Sequence, residues 1–406
     1  MNIVFRQYFF GIAVSLMVFL SGAASAALIK VTSSTPLVLD QISEEWPEQS
    51  LIDVGVVAFG TSLDVGSETD AVLPAVRNAE GIYFANQLAK TIEQSGAWGA
   101  VRTVASDDVI VDLQLSAIIV QSDGQTLSLE VKAIDTSGKV WLEADYSQVV
   151  GKYAYDRRLK RTRDPFQNTY NKIANDILAV RKQMSHGDAE KLRTVSDIRF
   201  AQKFSPQAFS EYTAKAKDGT LQLQRLPAQS DALFQRTQQI RERDYLYIDT
   251  MQDFYDTFSQ KMHRPYQDWR RESYNVVVQI ARYDSAGTRR IFTGIAAVIA
   301  GAYVGNTGGS RGTRNAGYAG ASVGGVLIKS GLNEKNKKAA FIERLAEMGS
   351  SLEVELEPRV IELDDRTVTL TGTVEGQYSQ WQDLLARMYA AERGEQPVLP
   401  VPSQGL

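Results

Sequence analysis

The sequence predicts an α+β fold, and three observations carry that expectation. A short apolar run, Asp53–Phe59 (DVGVVAF), precedes a segment with apolar residues at steps of three and four. Three segments of alternating apolar and polar residues follow, separated by turn signals. From Pro165 to about Tyr283 the pattern is helical. A helix after a first strand, then an antiparallel meander, gives a mixed sheet with helices packed on one face.

Each element has its own signal. Asp53–Phe59 suits a buried strand. In Val76–Gly96, residues Ile82, Ala85, Leu88, Ala89 and Ile92 share one helical face, and Gly96 stands where a C-terminal glycine cap belongs. Ala100–Val104 reads as a second strand. In IVDLQLSAIIV, Val111, Leu113, Leu115 and Ala117 alternate with polar residues, and Asp123-Gly124 then marks a tight turn. Leu127, Leu129, Val131 and Ala133 continue the alternation. Thr136–Gly138 makes the next turn, before Val140, Leu142 and Ala144.

Pro165 fits a first helical turn, with Asp164 as its cap. Phe166, Tyr170, Ile173, Ile177 and Val180 form one apolar face. Ile248, Met251, Tyr255, Phe258 and Met262 make a seam too short for a lone coiled coil, so a helical hairpin or small bundle is expected. Tyr245, Tyr247, Phe254, Tyr266, Trp269 and Tyr274 are read as core residues, with an exposed protein-binding groove as the alternative. A final unit, Lys335–Arg393, begins with a helix, Lys335–Met348. SLEVELEP and the hairpin RVIEL/RTVTLTGTV follow, with Asp364-Asp365 at the turn. Its last helix carries Tyr378, Trp381, Leu385 and Met388 on one stripe. Residues 395–406 form a proline-rich tail.

The first residues predict export. Arg6, the apolar run Phe9–Leu20 and the small residues of SGAASA compose a secretory signal peptide, cut after Ala26. The run is short of the roughly 20 residues of a membrane anchor. Cysteine is absent, so no lipid attachment at a cysteine is available and stability rests on buried cores. The expected destination is the bacterial periplasm. About 380 mature residues suffice for two or three domains. A net charge of −4 argues against a nucleic-acid partner. The predicted organisation is a signal peptide (1–26), an α+β domain (27–150), a basic linker and helical region (151–290), a glycine-zipper hairpin (291–332), a small α+β unit (333–394) and the tail.

The order VGVVAF, ANQLAKTIEQSGAWGAVRTV, LSLEVKAIDTSGKVWLEADY resembles the periplasmic domain shared by the curli-secretion protein CsgG and the lipoprotein activators of penicillin-binding proteins. The resemblance covers about a quarter of the chain. It implies a non-enzymatic protein that binds other proteins, forms rings or lines secretion pores. The missing lipid-attachment Cys departs from that pattern. The C-terminal order, with VTLTGTV before a helix, resembles BON domains of envelope proteins, which implies contacts with membranes and proteins.

No catalytic constellation is apparent. His186 and His263 lie far apart without a ligand pattern, and neither HExxH nor GxSxG occurs. Asp107-Asp108 and Asp364-Asp365 are explained by turns. Gly308–Gly312 lacks the Gly-Lys-Ser/Thr of a phosphate loop and does not follow a strand. No cofactor or metal is expected.

Two stretches carry the functional expectation. Gly294–Ile328 holds ten of the thirty glycines, and its only charges are Arg311 and Arg314. Its arms, Ile291–Val304 and Ala316–Ile328, resemble glycine-zipper segments of envelope proteins. Gly294, Gly301 and Gly305, and Ala316, Gly320 and Gly324, are the expected packing residues, since small residues four apart let another backbone approach. Each arm is about 20 Å long as a helix, short of a bilayer core of about 30 Å. Partial insertion, a thinned bilayer and packing within an oligomer remain open. A flexible loop or a soluble buried hairpin is the alternative. The second stretch, Lys152–Asp164, carries Lys152, Arg157, Arg158, Lys160, Arg161 and Arg163. It reads as a solvated linker face or as a contact to an anionic polymer or lipid. Together these features predict a membrane-associated scaffold or assembly factor, self-associating, with other envelope proteins as partners. A pore or secretion-channel subunit is the alternative.

Overall fold

In the computed structural model, residues 27–31, 35–61, 73–156, 163–228, 230–283, 356–363 and 366–392 are described. The fold is α+β. The three alternating segments become the long strands β5 (Leu113–Ser122), β6 (Thr126–Asp135) and β7 (Val140–Val149), paired antiparallel. The earlier strands are β1 (Ala27–Val31), β2 (Val54–Val57), β3 (Gly60–Thr61) and β4 (Val101–Val104). They complete a seven-stranded mixed sheet ordered β1-β7-β6-β5-β2-β4, with β3 beside β5. β1 runs parallel to β7, and β2 runs parallel to both β4 and β5.

The turns follow their side chains. Gly96, Gly124 and Gly138 all take positive φ, which glycine adopts without a Cβ penalty. Asp135 closes the β6–β7 turn. Its carboxylate accepts from the Ser137 and Lys139 N–H groups and, at 2.8 Å, from the buried Trp141 indole. At the other end of the sheet, Asp112 accepts from the Asp53 N–H, and Asp53 accepts from the Ala100 N–H, both at 2.8 Å. These two carboxylates stitch the starts of β2, β4 and β5 together.

Helix α1 (Leu73–Glu93) and helix α2 (Gln167–Lys182) pack together over the sheet. Ala85, Leu88 and Ile92 of α1, with Tyr170, Ile173 and Ile177 of α2, meet Leu113, Leu127, Leu129 and Tyr146 in one apolar core. Gly81 sets how closely α1 approaches, because a Cβ there would lie 2.3 Å from the Phe59 carbonyl. The opposite face of the sheet exposes Ile118 and Val120.

Helix α3 (His186–Phe204), the single turn α4 (Pro206–Phe209) and a small hairpin, β8 (Thr213–Lys215) and β9 (Leu221–Leu223), come next. This hairpin interrupts the stretch expected to be wholly helical. The seam Ile248–Met262 belongs to one 52-residue helix, α5 (Ala232–Tyr283), which runs through Pro265. It packs against α1, β4 and α3, not within a separate bundle. Ile248, Met251, Tyr255, Phe258 and Met262 are buried, so the seam is real, and α5 packs on α1, β4, α3 and the C-terminal helix. Helix α2 starts at Gln167 with Phe166 as its N-cap, so Pro165 lies in the turn before it and Asp164 is not the predicted cap. Its Oδ1 accepts from Phe166 N–H, and its Oδ2 accepts from Arg270 at 2.7 Å. The Arg270 guanidinium is fully buried and lies 4.3–5.9 Å from the rings of Tyr266, Phe166, Phe84 and Tyr83.

The antiparallel hairpin β10 (Leu356–Leu363) and β11 (Arg366–Gly372) leads into α6 (Val374–Glu392). The predicted stripe is present: Tyr378, Trp381 and Leu385 are buried, with Met388 packed partly against the core. The predicted signal peptide, the helix Lys335–Met348 and the tail lie outside the described residues.

Candidate interaction surfaces

The predicted packing residues Gly294, Gly301, Gly305, Ala316, Gly320 and Gly324 lie outside the described residues. The described elements before and after them in sequence are α5 and the β10–β11 hairpin leading into α6, and α5 and α6 are both packed on the body. Near its C-terminal end, α5 is fixed to the β5–β6 hairpin. A Cβ on Gly124 would lie 2.2 Å from the Arg270 carbonyl, and Tyr155 donates to the Gly124 carbonyl while its ring meets Tyr274. Tyr274 lies about 45 Å further along the α5 axis than Asp244, at about 1.5 Å per residue. The chain returns to the body at Asp244, through α6.

Asp244 is almost fully buried. Its carboxylate accepts from three α6 side chains: Gln382 Nε2 at 2.7 Å, Trp381 Nε1 at 3.1 Å and Tyr378 Oη at 3.4 Å. Trp381 also stacks on Tyr247 of α5, with ring centroids 4.9 Å apart. Burial pushes the Asp244 carboxyl up to about 6, against the pull of the Trp381 and Tyr378 hydrogen bonds and of the Lys203 and Arg241 charges.

Of the six predicted cations, Arg157, Arg158, Lys160 and Arg161 lie outside the described residues. Lys152 is exposed and sits over the Tyr153 ring at 4.8 Å. Arg163 is already engaged: it donates to the Leu37 carbonyl at 3.0 Å and to Asn168 Oδ1 at 2.8 Å. That contact belongs to an extended strap, residues 35–42, laid along α2. Asn168, Asn171 and Asn175 of α2 bind the strap through its main chain.

A polar cavity of about 150 Å³ lies where the starts of β2 and β5 meet α3 and α5. Arg241 dominates it, donating to Ser196 Oγ at 2.8 Å and Tyr245 Oη at 2.7 Å, and pairing with Asp197 at 3.2 Å. Burial pushes Asp112 up to about 6, while Arg241 pulls it down. Asp53 and Asp112 accept from backbone amides and Asp197 pairs with Arg241, so the cluster ties the starts of β2 and β5 to α3 and α5. Nothing local in the sequence pointed to this cluster, because Asp112, Asp197 and Arg241 meet only through the tertiary fold.

The two histidines make single hydrogen bonds: His186 Nδ1 with Ser50 Oγ at 2.9 Å, and His263 Nδ1 with Tyr83 Oη at 2.8 Å. Among the described residues, no group of three or more His, Cys, Asp or Glu is placed to hold a metal. No helix among them is long and apolar enough to cross a membrane. No protein-family model matches this chain, and no curated protein is recognisably similar to it.

Proposed function

We propose that this protein is a non-enzymatic component of the bacterial cell envelope, exported to the periplasm, which acts as a membrane-associated scaffold or assembly factor. One observation carries the reading: the four-residue spacing of small residues in Gly294–Ile328, whose only charges are Arg311 and Arg314. Glycine inside a helix costs up to about 1 kcal/mol per residue in water. Close backbone packing, in a membrane or between subunits, offsets that cost. The organisation of the body fits this role. In sequence the segment lies between α5 and the β10–β11 hairpin that leads into α6, and α5 and α6 share one core. The resemblances to CsgG-like and BON domains point the same way, toward protein and membrane contacts.

The double substitution Gly320→Leu/Gly324→Leu tests the packing. It raises apolarity, so partitioning into membranes persists or increases. The added side chains separate the backbones, so crosslinked oligomer is lost. If wild type and variant are both wholly soluble and crosslink alike, the segment is a loop and the reading fails.

A further inference from the structure

The polar cavity beside Arg241 carries hydrogen-bonding groups that the fold does not use up. Asp53 and Asp112 line it, but their carboxylates are engaged. Asp53 accepts from the Ala100 N–H and Asp112 from the Asp53 N–H, both at 2.8 Å. Asp112 is also bonded to Ser196, and Asp53 lies 3.6 Å from Arg102. Arg193 donates one guanidinium N–H to the Glu48 carbonyl at 3.0 Å. The rest of the lining comes from Asp197 of α3 and from Gln238, Arg241, Glu242 and Tyr245 of α5.

Three donors there are left over. Arg241 is only 4% exposed. Its Nε and Nη2 donate to Tyr245 Oη at 3.0 and 2.7 Å, and Nη2 also donates to Ser196 Oγ at 2.8 Å. Its Nη1 lies 3.2 Å from Asp197, and Gln238 faces the same carboxylate. Neither Arg241 Nη1 nor Gln238 Nε2 is aligned for a hydrogen bond, and both atoms are buried. Tyr245 Oη accepts twice from Arg241, so its own proton remains to be given. Burial pushes that hydroxyl up to about 12, against the pull of Arg241, so it keeps the proton at neutral pH. A buried donor without an acceptor costs free energy, which an acceptor placed beside it recovers. One carboxylate, with two oxygens and several lone pairs, can serve three converging donors.

Charge narrows the ligand further. The lining holds four carboxylates, Asp53, Asp112, Asp197 and Glu242, against the guanidiniums of Arg193 and Arg241. Such a cavity repels a simple anion, so the ligand needs a cationic group beside its carboxylate. Asp197, one-third exposed, and Glu242, exposed, supply acceptors for it. The two ligand charges must lie close together, because Asp197 stands 3.2 Å from Arg241 Nη1. An α-amino acid carries both on one carbon. A cavity of about 150 Å³ takes a molecule of benzene's size, so glycine and alanine fill it. We propose that this cavity binds a small α-amino acid, with the carboxylate on Arg241, Gln238 and Tyr245 and the ammonium on Asp197 and Glu242. The site is independent of the glycine-rich segment and of membrane association.

Titration calorimetry of the full chain with glycine and alanine tests this. Saturable heat is expected for both, and acetate and methylammonium, which carry one charge each, should bind at least tenfold more weakly. Gln238→Leu removes a donor and occupies the space, so glycine should bind at least tenfold more weakly. Glu242→Gln, at an exposed position, should weaken it by a smaller factor, about threefold. Both variants should melt at the wild-type temperature without ligand. If Gln238→Leu does not fold, Gln238→Glu takes its place, and its carboxylate should repel that of glycine with the same tenfold loss. The absence of saturable heat with glycine and alanine overturns the proposal. Acetate binding as tightly as glycine, or glycine binding unchanged in the Gln238 variant, overturns it as well.

Discussion

The two ends of the described chain are attached to the body by opposite means. The strap, residues 35–42, is bound through its backbone by three asparagines and sends no side chain into the fully buried core. Helix α6 inserts Tyr378, Trp381, Leu384, Leu385 and Tyr389 into the core and closes over the buried carboxylate of Asp244. Burial of large apolar side chains contributes several times what a net hydrogen bond does. The strap is therefore the separable end, and α6 is the fixed one. In sequence the glycine-rich segment lies between α5 and the β10–β11 hairpin that leads into α6.

The largest expected effect is on the fixed end. Trp381→Ala removes a stacked, buried indole and leaves Asp244 short of a donor. A loss of about 3–5 kcal/mol in α6 docking is expected, read as collapse of hydrogen-exchange protection over residues 374–392. Protection of residues 35–42 should stay at its wild-type level. Equal loss at both ends would mean the two attachments are one cooperative unit.

Asp244 sharpens the contrast through pH. Its folded pKa, about 6, is raised above the ordinary carboxyl value of 3.8, so the folded state binds the proton more tightly than the unfolded state. The resulting stability is fully present below about pH 4 and is lost as pH rises through 6. Relative to Asp244→Asn, wild type should gain roughly 2 kcal/mol between pH 8 and pH 4, because each tenfold difference in proton affinity between the two states contributes about 1.4 kcal/mol. Other groups, Asp112 among them, cancel in that difference. Parallel pH profiles for the two proteins would show that burial does not govern this carboxylate.

The smallest effect belongs to the strap. Asn171→Ala removes one hydrogen bond to the Leu37 carbonyl, which Arg163 still serves. A loss of about 1 kcal/mol is expected, confined to exchange protection of residues 35–42, with the melting of the body unchanged.

The same contrast governs what was legible in the sequence. Strands β5–β7 show clean alternation because α1 and α2 cover only one face of the sheet, so burial itself alternates along each strand. The α6 stripe and the α5 seam were legible because both are read out by apolar side chains. The partner of that seam was not, since packing against β4 and α1 leaves no mark on α5 distinguishable from a bundle. β1 and the strap were missed altogether, because backbone hydrogen bonding imposes no hydrophobic period. The α2 face that binds the strap did have a signal, three asparagines at i, i+3 and i+7, but polar helix faces usually meet solvent. The Arg270–Asp164 pair and the Arg241 cluster join residues far apart in sequence, and only the tertiary fold brings them together.

The central claim is that membrane association resides in the glycine-rich segment and not in the body that carries it. Deleting residues 291–328 from the full chain and following both proteins through membrane fractionation tests this most directly, with thermal unfolding as the check on the body. The account predicts that the intact protein sediments with membranes, while the shortened one moves to the soluble fraction and melts at the wild-type temperature. A shortened protein that still sediments with membranes, or an intact one found wholly in the soluble fraction as a monomer, would contradict it.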